Sequence, residues 1–404
     1  MQADPNATPA ARRQIGIGDI QIGHRAKELV QDALDSNRLS AGPLTDRFER
    51  EVARLHHRRY GLMCNSGTSA LHIALGALRE REGWRDGDEV LVPAVTFVAT
   101  ANVVLYNGLR PVFVDVEPDY YCVDPARIEE RITDRTRAIV PVHVAGLPCD
   151  MDPIMDLAAA RGLHVVEDSC EAVAVRYRGR PVGSFGDVAC FSTYAAHLIT
   201  TGVGGLCLTD DPSLLEIMKS LMNHGRDAVY IRIDDDQGVE ASDAFEIANR
   251  RFSFVRLGHS FRATELEAAL GVAELEQREL QAARRQRVVA RLTEGLRPLE
   301  PDLQLPKARP GAEHAFMFYP LVVRNPELSR DTVVAALESQ AIETRYLLPL
   351  INQPVYRSLF GDLDADYPVA ADLNARAFYV GCAPSMTNED VDHVVGVLRG
   401  ALGR

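Results

Sequence analysis

The chain has 404 residues, enough for one large or two modest domains. Apolar residues make up 46% and charged residues 25%, an ordinary globular balance, and a net charge of −13 argues against a nucleic-acid backbone as partner. No apolar run reaches 18 residues, Met1–Ala10 has no apolar signal core, and the seven cysteines form no CxxC pair, so the expectation is a cytoplasmic protein with reduced thiols and no membrane span.

Residues 1–16 read as a disordered tail. Residues 17–60 read as an entry arm with two helices: Ala26, Leu29, Val30 and Ala33 recur at helical spacing, the turn Ser40-Ala41-Gly42-Pro43 follows, and a second helix runs from Leu44 through Leu55. Arms of this kind often cross to a partner subunit. Tyr60–Cys64 is a short strand that leads through Asn65-Ser66-Gly67-Thr68-Ser69 into a strong helix. Gly67 permits close backbone approach. Thr68 and Ser69 place N–H groups at a helix start, where phosphate is favoured by orphan donors and the dipole. Without a ligand, the same turn is a plain N-cap of a core helix.

Strands at Glu89–Pro93 and Pro111–Val116 flank a helix opened by Thr96-Phe97-Val98. A strand at Arg137–His143, a helix over 153–161 and a strand at His164–Asp168 follow. Asp168 closes an apolar strand, where a carboxylate often lies at a ligand site or, alternatively, caps the next turn. The stretch from Gly186 to Gly205 reads as a buried strand, a loop and a glycine-rich turn, with the Ser192 hydroxyl and the His197 imidazole five residues apart in the loop. Loops of this composition can hold phosphate, although one serine and one histidine also suit an ordinary surface loop. The alternation of strands and helices implies a mostly parallel, helix-covered sheet.

Residues 213–224 are expected to be helical, 228–251 form a polar loop or insertion, and Leu257–Glu265 opens a long helix reaching about Leu292. After Pro298 a smaller α+β unit is expected: a strand at Phe316–Val323, a helix over 330–339 capped by Ser329, a strand at Ile342–Tyr346 and a terminal helix from Asn388. The division is therefore a large domain over 17–297 and a small C-terminal domain over 298–404. No internal repeat is evident.

These segments resemble the sugar aminotransferases of the DegT/DnrJ/StrS family over roughly residues 18–402. The resemblance rests on Gly186-Asp187, Phe191-Ser192, Thr200-Thr201-Gly202-Val203-Gly204-Gly205 and Asn223-His224-Gly225-Arg226-Asp227. It implies a fold-type I aminotransferase-like α/β fold binding pyridoxal or pyridoxamine phosphate. Gly67, Thr68, Ser69 and Ser192 would hold the phosphate, Phe97 would cover the pyridine ring, Asp168 would pair with its nitrogen, and Glu171 would complete the cofactor set. Ser260 stands where the family has an asparagine that reaches the neighbouring subunit's cofactor phosphate, and Val203 replaces a glutamate.

The family's cofactor lysine is replaced by His197, and the chain's three lysines, Lys27, Lys219 and Lys307, lie elsewhere in the sequence. Imidazole cannot form a Schiff base, so the cofactor would be non-covalent. Histidine at this position characterises the sugar 3-dehydratases, which Asp168-Ser169-Cys170-Glu171 and Ala377–Ser385 also resemble. The chain has no cysteine from Leu208 to Gly381, where the iron–sulfur branch carries its ligands, which excludes that cluster and leaves no metal site.

The resemblance therefore implies a pyridoxamine-phosphate-dependent dehydratase that removes the C3 hydroxyl of a nucleotide-linked 4-keto-6-deoxyhexose. His197, with a pKa near neutrality, would be the base and glutamate the amino donor. A homodimer is implied as well. Two other readings stay open: an aminotransferase-like enzyme or isomerase with His197 as base, and a non-catalytic relative that holds the cofactor or a nucleotide sugar.

Overall fold

The computed structural model describes residues 14–403 except 19, 228–239, 241–244, 246, 249 and 251. Its thirteen named strands are β1 (Tyr60–Cys64), β2 (Glu89–Pro93), β3 (Arg110–Val114), β4 (Thr136–Ile139), β5 (His164–Asp168), β6 (Arg176–Tyr177), β7 (Arg180–Pro181), β8 (Val188–Ser192), β9 (Gly205–Thr209), β10 (Leu303–Gln304), β11 (Tyr319–Val323), β12 (Thr344–Tyr346) and β13 (Ala377–Val380). Seven of them form one sheet in the order β1-β9-β8-β5-β4-β2-β3. Within it β8, β5, β4, β2 and β3 run parallel, and β9 is antiparallel to both neighbours. Every residue of β2, β8 and β9 is buried, the continuous pattern of strands covered on both faces. This is the fold-type I arrangement that the sequence implied.

The named α-helices are α1 (His24–Asp35), α2 (Pro43–Leu55), α3 (Gly67–Glu82), α4 (Val98–Tyr106), α5 (Pro125–Ile128), α6 (Met151–Arg161), α7 (Pro212–Met222), α8 (Glu265–Leu296), α9 (Arg330–Glu338), α10 (Pro354–Phe360), α11 (Pro368–Arg376) and α12 (Asn388–Ala401). Local chemistry sets several of their ends. Ser329 caps α9 by accepting from the Thr332 N–H, as expected. Thr264 and Glu267 form a capping box at the start of α8. Glu265, 2% exposed, accepts from the backbone N–H groups of Gly42, Leu44 and Thr45, tying the start of α2 to the start of α8.

Several boundaries differ from the sequence reading for identifiable reasons. The strand expected at 137–143 ends at Ile139, because Pro141 cannot donate to a ladder. The strand expected from Phe316 begins at Tyr319, because Phe316 adopts φ 50°, outside the extended region. Ile342 lies ahead of β12 and pairs instead with Ile15. That pairing also corrects the disordered tail assigned to residues 1–16: Ile15 is 3% exposed and its N–H donates to the Ala341 carbonyl, while residues 1–13 lie outside the described residues. The polar loop expected at 228–251 lies largely outside them as well. β9, the β6–β7 hairpin, α10 and α11 were not anticipated.

The smaller sheet has the order β10-β11-β13-β12. Its core includes Tyr319, Leu321, Phe378 and Val391, together with Ile15 and with Val288, Val289, Leu292 and Leu296 of α8. A division at 297/298 therefore falls at the end of a helix whose last turns already belong to the second core. Tyr356 and Tyr367, which follow that division, pack edge-on against Phe113 of the larger core.

Candidate active site

The ends of β1, β5 and β8 and the starts of α3 and α4 meet at the C-terminal edge of the large sheet, the usual ligand-binding edge of an open α/β sheet. At the start of α3, Ser66 adopts an extended conformation and its Oγ accepts from the Ser69 N–H at 3.0 Å. Ser69 Oγ in turn donates to Asn65 Oδ1 at 2.7 Å. The cap satisfies one of the orphan donors of the first turn, while the Gly67 and Thr68 amides remain at the positive end of the helix. Gly67 is packed so tightly that a Cβ there would lie 2.8 Å from Ser192 Cβ and 2.9 Å from Cys170 Sγ. The helix start, the end of β8 and the turn after β5 thus form one cradle, floored by Ser192, which is 6% exposed. Thr68 is exposed at its rim.

Asp168 ends β5 and is 4% exposed. Its Oδ2 accepts from Thr100 Oγ1 at 2.9 Å and its Oδ1 from the Cys170 N–H at 3.2 Å. Burial pushes its pKa up, and the Cys170 and Thr100 donors pull it back down. Thr100 lies in the first turn of α4 and is itself 2.8 Å from Thr96 Oγ1. Phe97, the residue preceding that helix, is 59% exposed, a large ring without a covering layer among the described residues. Thr96 and Thr100 were not picked out from the sequence. The signal was present as two hydroxyls one helical turn apart, flanking the singled-out Phe97.

His197 lies in the loop between β8 and β9. The loop is closed by Thr193 N–H to the Gly204 carbonyl at 3.0 Å, Ala195 N–H to Gly202 at 3.2 Å and Thr201 N–H to Thr193 at 2.8 Å. The imidazole is half-buried, and its Nδ1 is sealed from solvent with no hydrogen-bond partner. Burial drives its pKa down to about 4, against a small upward pull from the Cys170 backbone. This corrects the expectation of a near-neutral pKa: the group is a neutral imidazole over the whole physiological range, a weaker base that is always ready to accept. The ring also lines a cavity of about 670 Å³.

Glu171 is 7% exposed, and its Oε2 accepts from the Ala145 N–H at 2.6 Å. Burial, with the Asp168 charge adding to it, raises its pKa to about 8, so it is predominantly protonated at neutral pH. Ser260 is not joined to this group by any hydrogen bond among the described residues. It lies on an exposed segment that bridges to Asn223, and its Oγ accepts from Arg262 Nη2 at 2.9 Å.

A second layer, absent from the sequence reading, holds the first. Glu167 is fully buried and accepts from the N–H groups of Gly183, Phe185 and Gly186 at 2.7, 2.6 and 2.8 Å. The Cys149 N–H donates to His143 Nδ1 at 3.0 Å, which leaves Nε2 to carry the proton facing Glu167 Oε2 at 3.4 Å. Glu167 thereby fixes the turn that feeds β8 and hence Ser192 and His197. Among the described residues no three His, Cys, Asp or Glu side chains gather as a metal site, and all seven cysteines are free thiols.

The arrangement fits a pyridoxal-type cofactor. A cradle that even one added methyl would fill suits a phosphate held by backbone amides, and the buried, hydroxyl-supported carboxylate suits a pyridinium partner. The His197 imidazole, which lines the adjoining cavity, suits proton transfer.

Residues 20–399 match the model of the DegT/DnrJ/EryC1/StrS aminotransferase family. The GDP-perosamine synthase of Caulobacter vibrioides is 34% identical over 95% of this chain and 97% of its own length. The dTDP-4-dehydro-2,6-dideoxy-D-glucose 3-dehydratase of Saccharopolyspora spinosa is 36% identical over 91% of this chain and 82% of its own. Among solved structures, S. venezuelae DesV in complex with a ketimine intermediate superposes with a TM-score of 0.82 at 30% identity, covering 94% of each chain.

Proposed function

The chain belongs to the DegT/DnrJ/EryC1/StrS aminotransferase family of enzymes, which depend on pyridoxal or pyridoxamine phosphate, and from that premise we propose that it is a sugar 3-dehydratase. Its substrate would be a nucleotide-linked 4-keto-6-deoxyhexose, and no iron–sulfur cluster would take part. The observation that carries this reading is His197 at the position of the cofactor lysine. A transaminase carries a primary amine there that bonds its cofactor covalently; an imidazole can move protons, including those needed to recharge the cofactor from glutamate, but cannot form that bond.

Bound pyridoxamine phosphate would supply an amine for the sugar C4 ketone and an electron sink for loss of the C3 hydroxyl. The protein's own groups do the rest. The Gly67 and Thr68 amides, Ser69 and the Ser192 hydroxyl anchor the phosphate at the start of α3. Asp168, fixed by Thr100, keeps a proton on the pyridine nitrogen. Phe97 covers a face of the ring and excludes water. His197, neutral at working pH, would accept a proton on its imidazole and could return it to the leaving hydroxyl. Glu171, as a neutral acid, can donate a hydrogen bond to the cofactor's phenolic oxygen. Over a turnover the sugar loses its C3 hydroxyl and ammonia is released. Glutamate would restore the amine form of the cofactor.

A homodimer completes this reading. Phe97, Leu257 and Tyr106 expose large apolar side chains, at 59%, 97% and 67%, and a second copy would cover them. The aminotransferase reading draws support from the GDP-perosamine synthase relative, but it leaves the transfer step without its lysine. The test is incubation with a GDP- or dTDP-linked 4-keto-6-deoxyhexose, pyridoxamine phosphate and glutamate, followed by mass spectrometry of the sugar nucleotide. A product one oxygen lighter and still a ketone supports the proposal. A 4-amino sugar contradicts it.

A further inference from the structure

The cavity of about 670 Å³ beside His197 is walled on one side by a single face of α8, which presents Glu274, Arg278, Ala282 and Arg285 at helical spacing. The lining also holds His314 and Phe316, whose rings lie parallel with centroids 3.6 Å apart. Phe316 keeps a left-handed φ of 50°, a costly conformation for a bulky residue and one that clusters at ligand sites.

The cations on these walls are committed. Arg278 Nη2 donates to Glu279 at 2.8 Å and its Nη1 to the Leu275 carbonyl at 3.1 Å. Arg285 Nη1 is shared among the carbonyls of Phe316, Met317 and Cys382 at 3.3–3.4 Å, which pins the strained segment. Glu274 is different: it has no hydrogen-bond or ion-pair partner among the described residues. Burial lifts its pKa to about 7, so it can both accept and donate near neutrality. A stacked aromatic pair and an uncommitted carboxyl group in one cavity, with the Arg278 and Arg285 guanidinium groups already occupied, suit an uncharged polyhydroxylated ring better than a second anion.

We infer that this cavity receives the hexose ring of the sugar nucleotide, with Glu274 hydrogen-bonding a ring hydroxyl and the stacked His314–Phe316 pair supporting the ring's apolar face. Glu274 then determines sugar specificity without taking part in cofactor binding. The inference rests on the nucleotide-sugar reading proposed above.

The test is calorimetric, on the holoenzyme loaded with pyridoxamine phosphate, using GDP- and dTDP-linked 4-keto-6-deoxyhexoses and the free diphosphates GDP and dTDP. Glu274→Gln and Glu274→Ala are expected to weaken the preferred sugar nucleotide about tenfold, the effect of one lost hydrogen bond, and to leave the free diphosphate unchanged. Ala282→Trp, an exposed helix position whose new side chain would fill the cavity, should abolish sugar-nucleotide binding while cofactor affinity stays at the wild-type value. Unchanged sugar-nucleotide affinity in a folded Ala282→Trp protein overturns the inference. So does equal loss of sugar nucleotide and free diphosphate in the Glu274 variants. Failure of the wild-type enzyme to bind any of the sugar nucleotides would instead defeat the nucleotide-sugar reading, and this inference with it.

Discussion

Gly67 and Ser192 meet with no room between them: a single methyl added at Gly67 would stand 2.8 Å from Ser192 Cβ. The contact joins the start of α3 to the end of β8 and sets the width of the cradle. Gly67→Ala is therefore expected to push the helix start away from Ser192, at a cost of about 1–3 kcal/mol. Binding of pyridoxamine phosphate, followed by fluorescence titration, should weaken at least tenfold while the far-ultraviolet circular dichroism stays native. Unaltered cofactor affinity would mean that the phosphate is held elsewhere.

Asp168 and Thr100 make a second coupled pair. Thr100→Val keeps the shape but leaves Asp168 Oδ2 without its 2.9 Å donor, and loss of a buried partner costs about 1–3 kcal/mol. The carboxyl pKa should rise further and cofactor affinity should fall. Asp168→Asn removes the charge altogether, and turnover should drop about a hundredfold or more. An Asp168→Asn enzyme with wild-type turnover would show that the carboxylate serves only to cap the turn after β5.

The pH dependence follows from burial. The folded pKa of His197, about 4, is below the free value, so dehydration should hold its rate down to about pH 4 to 5 wherever the fold survives, without an inflection near 6.5. Stability has its own profile. His56 and His72 are also lowered to about 4 and His314 to about 3, so their contribution is complete above pH 6.5 and is lost as the pH falls through about 4. Glu171 has the opposite sign: its folded pKa of about 8 is raised, so its contribution is complete below about 4.5 and is lost as the pH rises through 8. Glu171→Gln should therefore raise Tm at pH 9 relative to the wild type and leave Tm at pH 4.5 unchanged. Parallel Tm curves for the two proteins across that range would contradict this assignment.

Covalent labelling probes the missing lysine. Borohydride reduction of the holoenzyme should leave no pyridoxyl group on the peptide spanning residues 186–205. Lys307 is paired with Asp119 at 2.9 Å and Lys219 lies in the last turn of α7. Stoichiometric label on Lys27, Lys219 or Lys307 would overturn the cofactor assignment.

Much of this was legible in the sequence because its causes are local. Ser329, the Ser66–Ser69 turn and the buried β8 announce themselves by residue type and spacing. The seven-stranded order, the antiparallel β9 and the β6–β7 hairpin depend on long-range pairing and had no comparable local mark. The Glu167–His143 support was invisible for the same reason, since its partners lie 16 to 24 residues apart. Ile15 was lost to a composition argument: a polar terminus reads as disordered, yet one buried isoleucine and one backbone pair with Ile342 order it. The pKa of His197 is a property of its surroundings and could not be read from the residue type.

The central claim is that His197 is the base for dehydration. The most direct measurement is the single-turnover dehydration rate of His197→Asn, loaded with pyridoxamine phosphate, against the wild type. The account predicts a fall of about 10²–10⁴-fold with cofactor affinity unchanged, because the phosphate and pyridine contacts come from Gly67, Thr68, Ser69, Ser192 and Asp168. Dehydration at the wild-type rate in His197→Asn would contradict it and leave His197 a structural histidine.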